Sequence, residues 1–126
     1  MTRFGYFSAI TLLLIAAGCG SGSNPRQLQS ITLASSPSGD AVQFVATGSY
    51  NQAPLKVSPL PVLWAVYVPY GGAGPSITQN GLAQCVPGVP GTFWVLVWAP
   101  TDPSIPISKI KSAKSVVTAQ ATITCP

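Results

Sequence analysis

The feature that most constrains this chain is a succession of short segments in which apolar and polar residues alternate, separated by clusters of Pro and Gly. A period of two sends successive side chains to opposite faces of a strand. Leu28 to Leu33 reads as such a strand, and Ser36-Pro37-Ser38-Gly39-Asp40 as the turn after it. Val42 to Tyr50 places Val42, Phe44, Ala46 and Gly48 on one face, and the small Ala46 and Gly48 imply a large side chain over them. Asn51 to Pro61 is turn-rich, with Pro54, Pro59 and Pro61 unable to donate to a central ladder. Val62 to Val68 groups Val62, Trp64 and Val66, which makes Trp64 the leading candidate for the centre of the core.

After a Gly-rich loop from Tyr70 to Pro75, Asn80-Gly81 marks a reversal, because both residue types tolerate positive φ. Leu82 to Cys85 is a short strand with Ala83 and Cys85 on one face. Thr92 to Ala99 is the strongest strand, apolar on both sides. If Phe93, Val95 and Val97 face inward, then Trp94, Leu96 and Trp98 form an outer stripe to be covered by the following loop, by lipid or by a partner. Pro100 to Ser115 breaks the alternation, and Val116 to Cys125 restores it as a last strand. No stretch of ten or more residues beyond the leader shows a 3.6-residue period with helix formers, so the expected fold is all-β. Six or seven short strands around one core predict a sandwich.

The first 18 residues have the layout of an export signal: Arg3, then an apolar stretch from Ala9 to Ala17, then small residues. The stretch is short of the roughly 20 apolar residues that span a bilayer. Ala16-Ala17-Gly18-Cys19 resembles the lipobox of bacterial lipoproteins, in which the cysteine thiol takes a diacylglyceryl group before cleavage. The resemblance implies two or three acyl chains on Cys19, holding the protein to a membrane far longer than one chain does. It also implies sorting to the bacterial outer membrane, since residue 20 is Gly and not Asp. The organisation expected is a signal peptide over 1–18, a flexible tether over 19–27 and one folded domain over 28–126. Acylation of Cys19 leaves Cys85 and Cys125 to form a disulfide, the alternative being two small buried apolar side chains.

Leu28 to Leu33, the run Gln43-Phe44-Val45-Ala46-Thr47-Gly48-Ser49-Tyr50, then Val62-Leu63-Trp64, Asn80-Gly81-Leu82-Ala83-Gln84-Cys85 and Gly91-Thr92-Phe93 together resemble bacterial immunoglobulin-like domains of the group 2 kind. The likeness covers about residues 28 to 99. It implies an immunoglobulin-like β-sandwich serving as an adhesin module, a spacer or a carbohydrate-associated domain, with no shared catalytic residues. The sequence departs from that pattern in the prolines before Trp64, in Cys85, and in the long Pro- and Lys-containing segment before the last strand.

Composition points away from catalysis. There is no His and only two carboxylates, Asp40 and Asp102, so a His-based triad, a carboxylate pair and a histidine metal site all lack their side chains. Ser108-Lys109-Ile110-Lys111 fits Ser-x-x-Lys but lacks its partner motifs and any helix signal. No enzyme activity, cofactor, metal or nucleic-acid partner is expected. Binding falls to two groups: Trp94 and Trp98, with Tyr67 and Tyr70, for stacking on sugar or anchoring a protein, and Lys109, Lys111 and Lys114 for anionic headgroups or polyanionic sugar. Their alternatives are burial under the 100–115 loop and a solubilising patch. The expected role is a lipid-anchored envelope module for adhesion to surface glycan or protein, or else a structural subunit of a larger envelope complex.

Overall fold

The computed structural model describes residues 25–69 and 72–126; the leader, the candidate lipid-bearing Cys19 and Tyr70 lie outside the described residues. Among the described residues eight strands form, β1 (Leu28–Ser38), β2 (Ala41–Tyr50), β3 (Lys56–Val57), β4 (Leu63–Tyr67), β5 (Ser76–Ile77), β6 (Leu82–Gln84), β7 (Gly91–Pro100) and β8 (Val116–Cys125). A 3₁₀ segment, η1 (Ile107–Ser112), lies between the last two.

All the pairings are antiparallel, and they make two sheets. Sheet one runs β1-β2-β6-β5, with β3 added to β2; sheet two runs β4-β7-β8. Without β3, this is the ABED and CFG strand order of a constant-type immunoglobulin sandwich. The fold is therefore an all-β, immunoglobulin-like sandwich.

The inward faces follow the alternation. Phe44, Ala46, Val95 and Val97 are at most 2% exposed, and Trp64 and Phe93 are also buried. Full burial of an aliphatic side chain contributes about 1.5–3 kcal/mol, so β7 is the element that most needs both sheets around it. Trp64 leans on Phe44, ring centroids 6.3 Å apart. Over Gly48 the space is filled by aliphatic side chains instead: a Cβ there would come within 2.9 Å of both Leu28 and Leu60. The side chain added at Gly81 would strike the Phe44 carbonyl and come within 3.0 Å of the Trp64 indole, and φ there is +84°. Glycine is needed at that reversal for space as well as for torsion.

One boundary differs from expectation. β1 continues through Pro37 to Ser38, because it is the outer strand of its sheet and Pro needs no donor on the free edge. The register slips between Leu28 and Ser30, so Leu28 and Ile31 both point inward although they lie an odd three positions apart. Residues 25–27 are bonded to the connection that follows β2. Gln27 N–H donates to Asn51 Oδ1 (2.7 Å), Asn51 Nδ2 donates to the Pro25 carbonyl (3.1 Å), and Arg26 Nη2 donates to the Pro54 carbonyl (2.6 Å).

The sandwich has two ends. At the near end lie residues 25–27, the 50–62 connection and the 100–116 connection; at the far end lie the β1–β2 turn, the 85–91 segment and the last residues of β8. Cys85 and Cys125 are joined at the far end, their Cα atoms 5.7 Å apart, tying the end of β6 in sheet one to β8 in sheet two.

Candidate functional site

Sheet two presents to solvent the residues that alternate with its core. The register sets Trp94 between Tyr67 and Thr122, Leu96 between Ala65 and Gln120, and Trp98 between Leu63 and Thr118. Tyr67 is 53% exposed, Trp94 46% and Leu63 37%, while Leu96 and Trp98 are half-buried. Thr92 and Thr124 continue the face toward the far end, their hydroxyls 3.2 Å apart. None of these side chains carries a charge. Aromatic rings beside hydroxyls and an amide on a flat strand surface can stack on one face of a sugar ring while bonding its hydroxyls.

The 100–115 segment does not lie over this stripe. It leaves β7 at the near end, is closed there by Thr101 N–H donating to the Ser115 carbonyl (3.1 Å), and sends Ile107 against the core. Its sequence places Ile107 and Ile110 along a 3₁₀ turn between Pro106 and Ala113, where residues three apart share a face. The two isoleucines and Lys111, with Phe44, Val45, Leu60, Leu63 and Trp64, border a groove of about 990 Å³ between the sheets.

Two of the polar side chains bordering that groove, Gln79 and Gln43, are engaged with backbone groups. Gln79 Nε2 donates to the Trp64 carbonyl (3.1 Å), and Trp64 N–H donates back to Gln79 Oε1 (3.3 Å). The side chain thus imitates a neighbouring strand on the free edge of β4 and straps the β5–β6 hairpin of sheet one to sheet two. Gln43 Nε2 donates to the carbonyls of Phe44 and Asn80 (2.9 and 2.8 Å). The groove is therefore a seam of the fold more than a site built for a ligand.

Of the residues singled out in sequence, Trp94 and Trp98 share the outer face of sheet two, four residues apart along β7, about 13 Å. Lys109, Lys111 and Lys114 are all exposed on the near-end connection. Leu63 joins the two groups, since it is cross-strand from Trp98 and borders the groove with Lys111; Trp94 lies far along the strand from the lysines. Sequence reasoning missed Leu63 and the Thr118–Gln120–Thr122 row as neighbours of the tryptophans, because strand register is not visible in a single segment.

Asp102 is exposed at the near end, and its carboxyl is held below the usual carboxylate range by hydrogen bonds from the Ser104 backbone N–H (2.9 Å) and then the Ser104 hydroxyl (2.7 Å). It caps its own turn. Asp40 sits in the far-end turn, so the two carboxylates do not converge. Among the described residues no group of three or more His, Cys, Asp or Glu side chains is placed to hold a metal ion, and no helix is long and apolar enough to cross a membrane. Comparison with family models, curated proteins and solved structures finds no match to this chain.

Proposed function

We propose that this protein is a non-enzymatic, lipid-anchored module of a bacterial cell envelope, attached through acylated Cys19 to the outer membrane, and that its immunoglobulin-like sandwich serves adhesion by binding surface glycan. The observation that carries the binding proposal is the uncharged, aromatic outer face of sheet two, with Tyr67 and Trp94 about half exposed in adjacent strands. Its lack of charge favours a neutral sugar chain over a protein, whose anchoring patches are enriched in Arg as well as aromatics. The lipobox-like Ala16-Ala17-Gly18-Cys19 supports the anchor, and the resemblance to group 2 bacterial immunoglobulin-like domains supports an adhesive role.

A screen of neutral and charged glycans tests the binding proposal. Trp94→Ala is expected to abolish binding to a neutral glycan, with a smaller loss for the half-buried Trp98. Full retention by Trp94→Ala, or a monodisperse complex with an envelope protein that covers this face, would remove the proposal in favour of a structural subunit. Labelling with a lipid precursor, compared between the parent and Cys19→Ala, tests the anchor.

A further inference from the structure

The cations of the folded unit are not spread over it. Arg26 precedes β1, Lys56 is in β3 opposite Ser49, and Lys109, Lys111 and Lys114 occupy the connection between β7 and β8, so every Lys and Arg after Arg3 lies at the near end. The far end holds Asp40.

The chain from Cys19 enters at the same end. Asn51 bonds both Pro25 and Gln27, and Leu28 N–H donates to the Thr101 carbonyl (2.9 Å). Thr101 in turn bonds Ser115, next to Lys114. Six residue steps separate Cys19 from Pro25, at most roughly 20 Å of extended chain. A lipid on Cys19 therefore keeps the cationic end within reach of the bilayer and keeps the far end away from it.

The same end carries an exposed apolar tip. Leu55 is 57% exposed beside Lys56, in a connection held by Tyr50 N–H donating to the Leu55 carbonyl (2.8 Å) and by the Arg26 guanidinium, 3.7 Å above the Tyr50 ring. Asp102 at this end stays ionised, held so by hydrogen bonds from Ser104, which leaves five cations against one anion there. Cations around an apolar tip are the chemistry of a surface that settles into lipid headgroups.

We infer that the near end of the sandwich is a docking surface for anionic lipid headgroups, with Lys109, Lys111 and Lys114 facing phosphate and Leu55 entering the interface. This rests on the proposed anchor at Cys19. Anchored this way, the domain stands on its cationic end and holds the outer face of sheet two roughly perpendicular to the membrane, open to ligand along its length.

Hydrogen exchange on the protein purified from membranes tests this. It is compared on vesicles of phosphatidylcholine alone and of phosphatidylcholine with phosphatidylglycerol. Amides of residues 52–57 and 107–114 are expected to exchange more slowly on the anionic vesicles only. The difference should vanish at about 1 M salt, where the screening length is about 3 Å. Each lysine near an anionic surface changes occupancy about fivefold, so the triple change Lys109→Gln, Lys111→Gln and Lys114→Gln should lower it about a hundredfold. These side chains are exposed, and unchanged exchange at the disulfide end verifies the fold.

Equal exchange on both vesicles, protection retained by the triple variant, or protection by a soluble polyanionic sugar but not by vesicles would overturn the inference. The intact mass of the same preparation reads the anchor separately. If no acyl chains are present the anchor fails, and the inference is then judged by the same salt-sensitive difference when anionic vesicles are added to the acyl-free protein.

Discussion

The two ends of the sandwich are closed by different means. The far end is covalent, since Cys85 and Cys125 bind a three-residue strand of sheet one to the last strand of sheet two. The near end is held by single hydrogen bonds, Leu28 to Thr101, Thr101 to Ser115 and Gln27 to Asn51, and by Ile107 packed beneath the 3₁₀ turn. The difference teaches where conformational freedom and chemistry are placed. A cross-linked end stays shut whatever its loops contact, whereas an end made of exposed hydrogen bonds can adjust to a surface at little cost. The charged and apolar contact groups sit on the adjustable end.

Replacing both cysteines, Cys85→Ala with Cys125→Ala, breaks the comparison most strongly. Denaturant unfolding should show a loss of about 2–4 kcal/mol, the usual worth of such a cross-link. Hydrogen exchange should rise first in β6 and at the end of β8, and the Leu28 amide should be the less affected. An equal rise at both ends would mean that the sandwich opens only as a whole. Ile107→Ala attacks the near end instead. The side chain is half-buried, so a loss of about 1–2 kcal/mol is expected, below the 2–5 kcal/mol range of fully buried truncations. Its signature is faster exchange at Thr101 and Ser115 with the disulfide end unchanged.

The smallest effect sharpens the electrostatic side. The carboxyl of Asp102 is lowered in the folded state, so its contribution is present above the unfolded value of about 3.9 and is lost as pH falls through the folded one. Asp102→Asn should therefore lower stability slightly in the neutral range, leave it unchanged at low pH and so flatten the acid-side fall, measured by thermal unfolding as a function of pH. Because the group is fully exposed, solvent screens the effect.

Legibility in the sequence tracked element length. β2, β4, β7 and β8 are each five residues or more and show their alternation directly. β3 and β5 have two residues each, too few for any period to register, and they exist only because β2 and β6 offer edges to pair with. The 3₁₀ turn at Ile107–Ser112 was hidden by prolines that mark an interruption without saying what fills it. For the candidate site, the exposed tryptophan was legible: a strand apolar on both faces in a small sandwich must turn one of them outward. The remaining members of that face belong to other strands and carry no local mark.

Read alone, the sequence determined that this chain makes strands, that the strand over 92–99 sets Val95 and Val97 on the face opposite Trp94, and that Cys85 and Cys125 are available to each other. Period, turn chemistry and cysteine number are properties of neighbouring residues, so they survive without a fold. Only the tertiary structure decided that the 100–115 connection plugs the near end and leaves the aromatic face open. It alone also gathered Arg26, Lys56 and Lys114, far apart in sequence, at the end where the chain enters. Pairing register and the closing of one sheet over another set those positions, and both depend on contacts between residues that no local pattern connects.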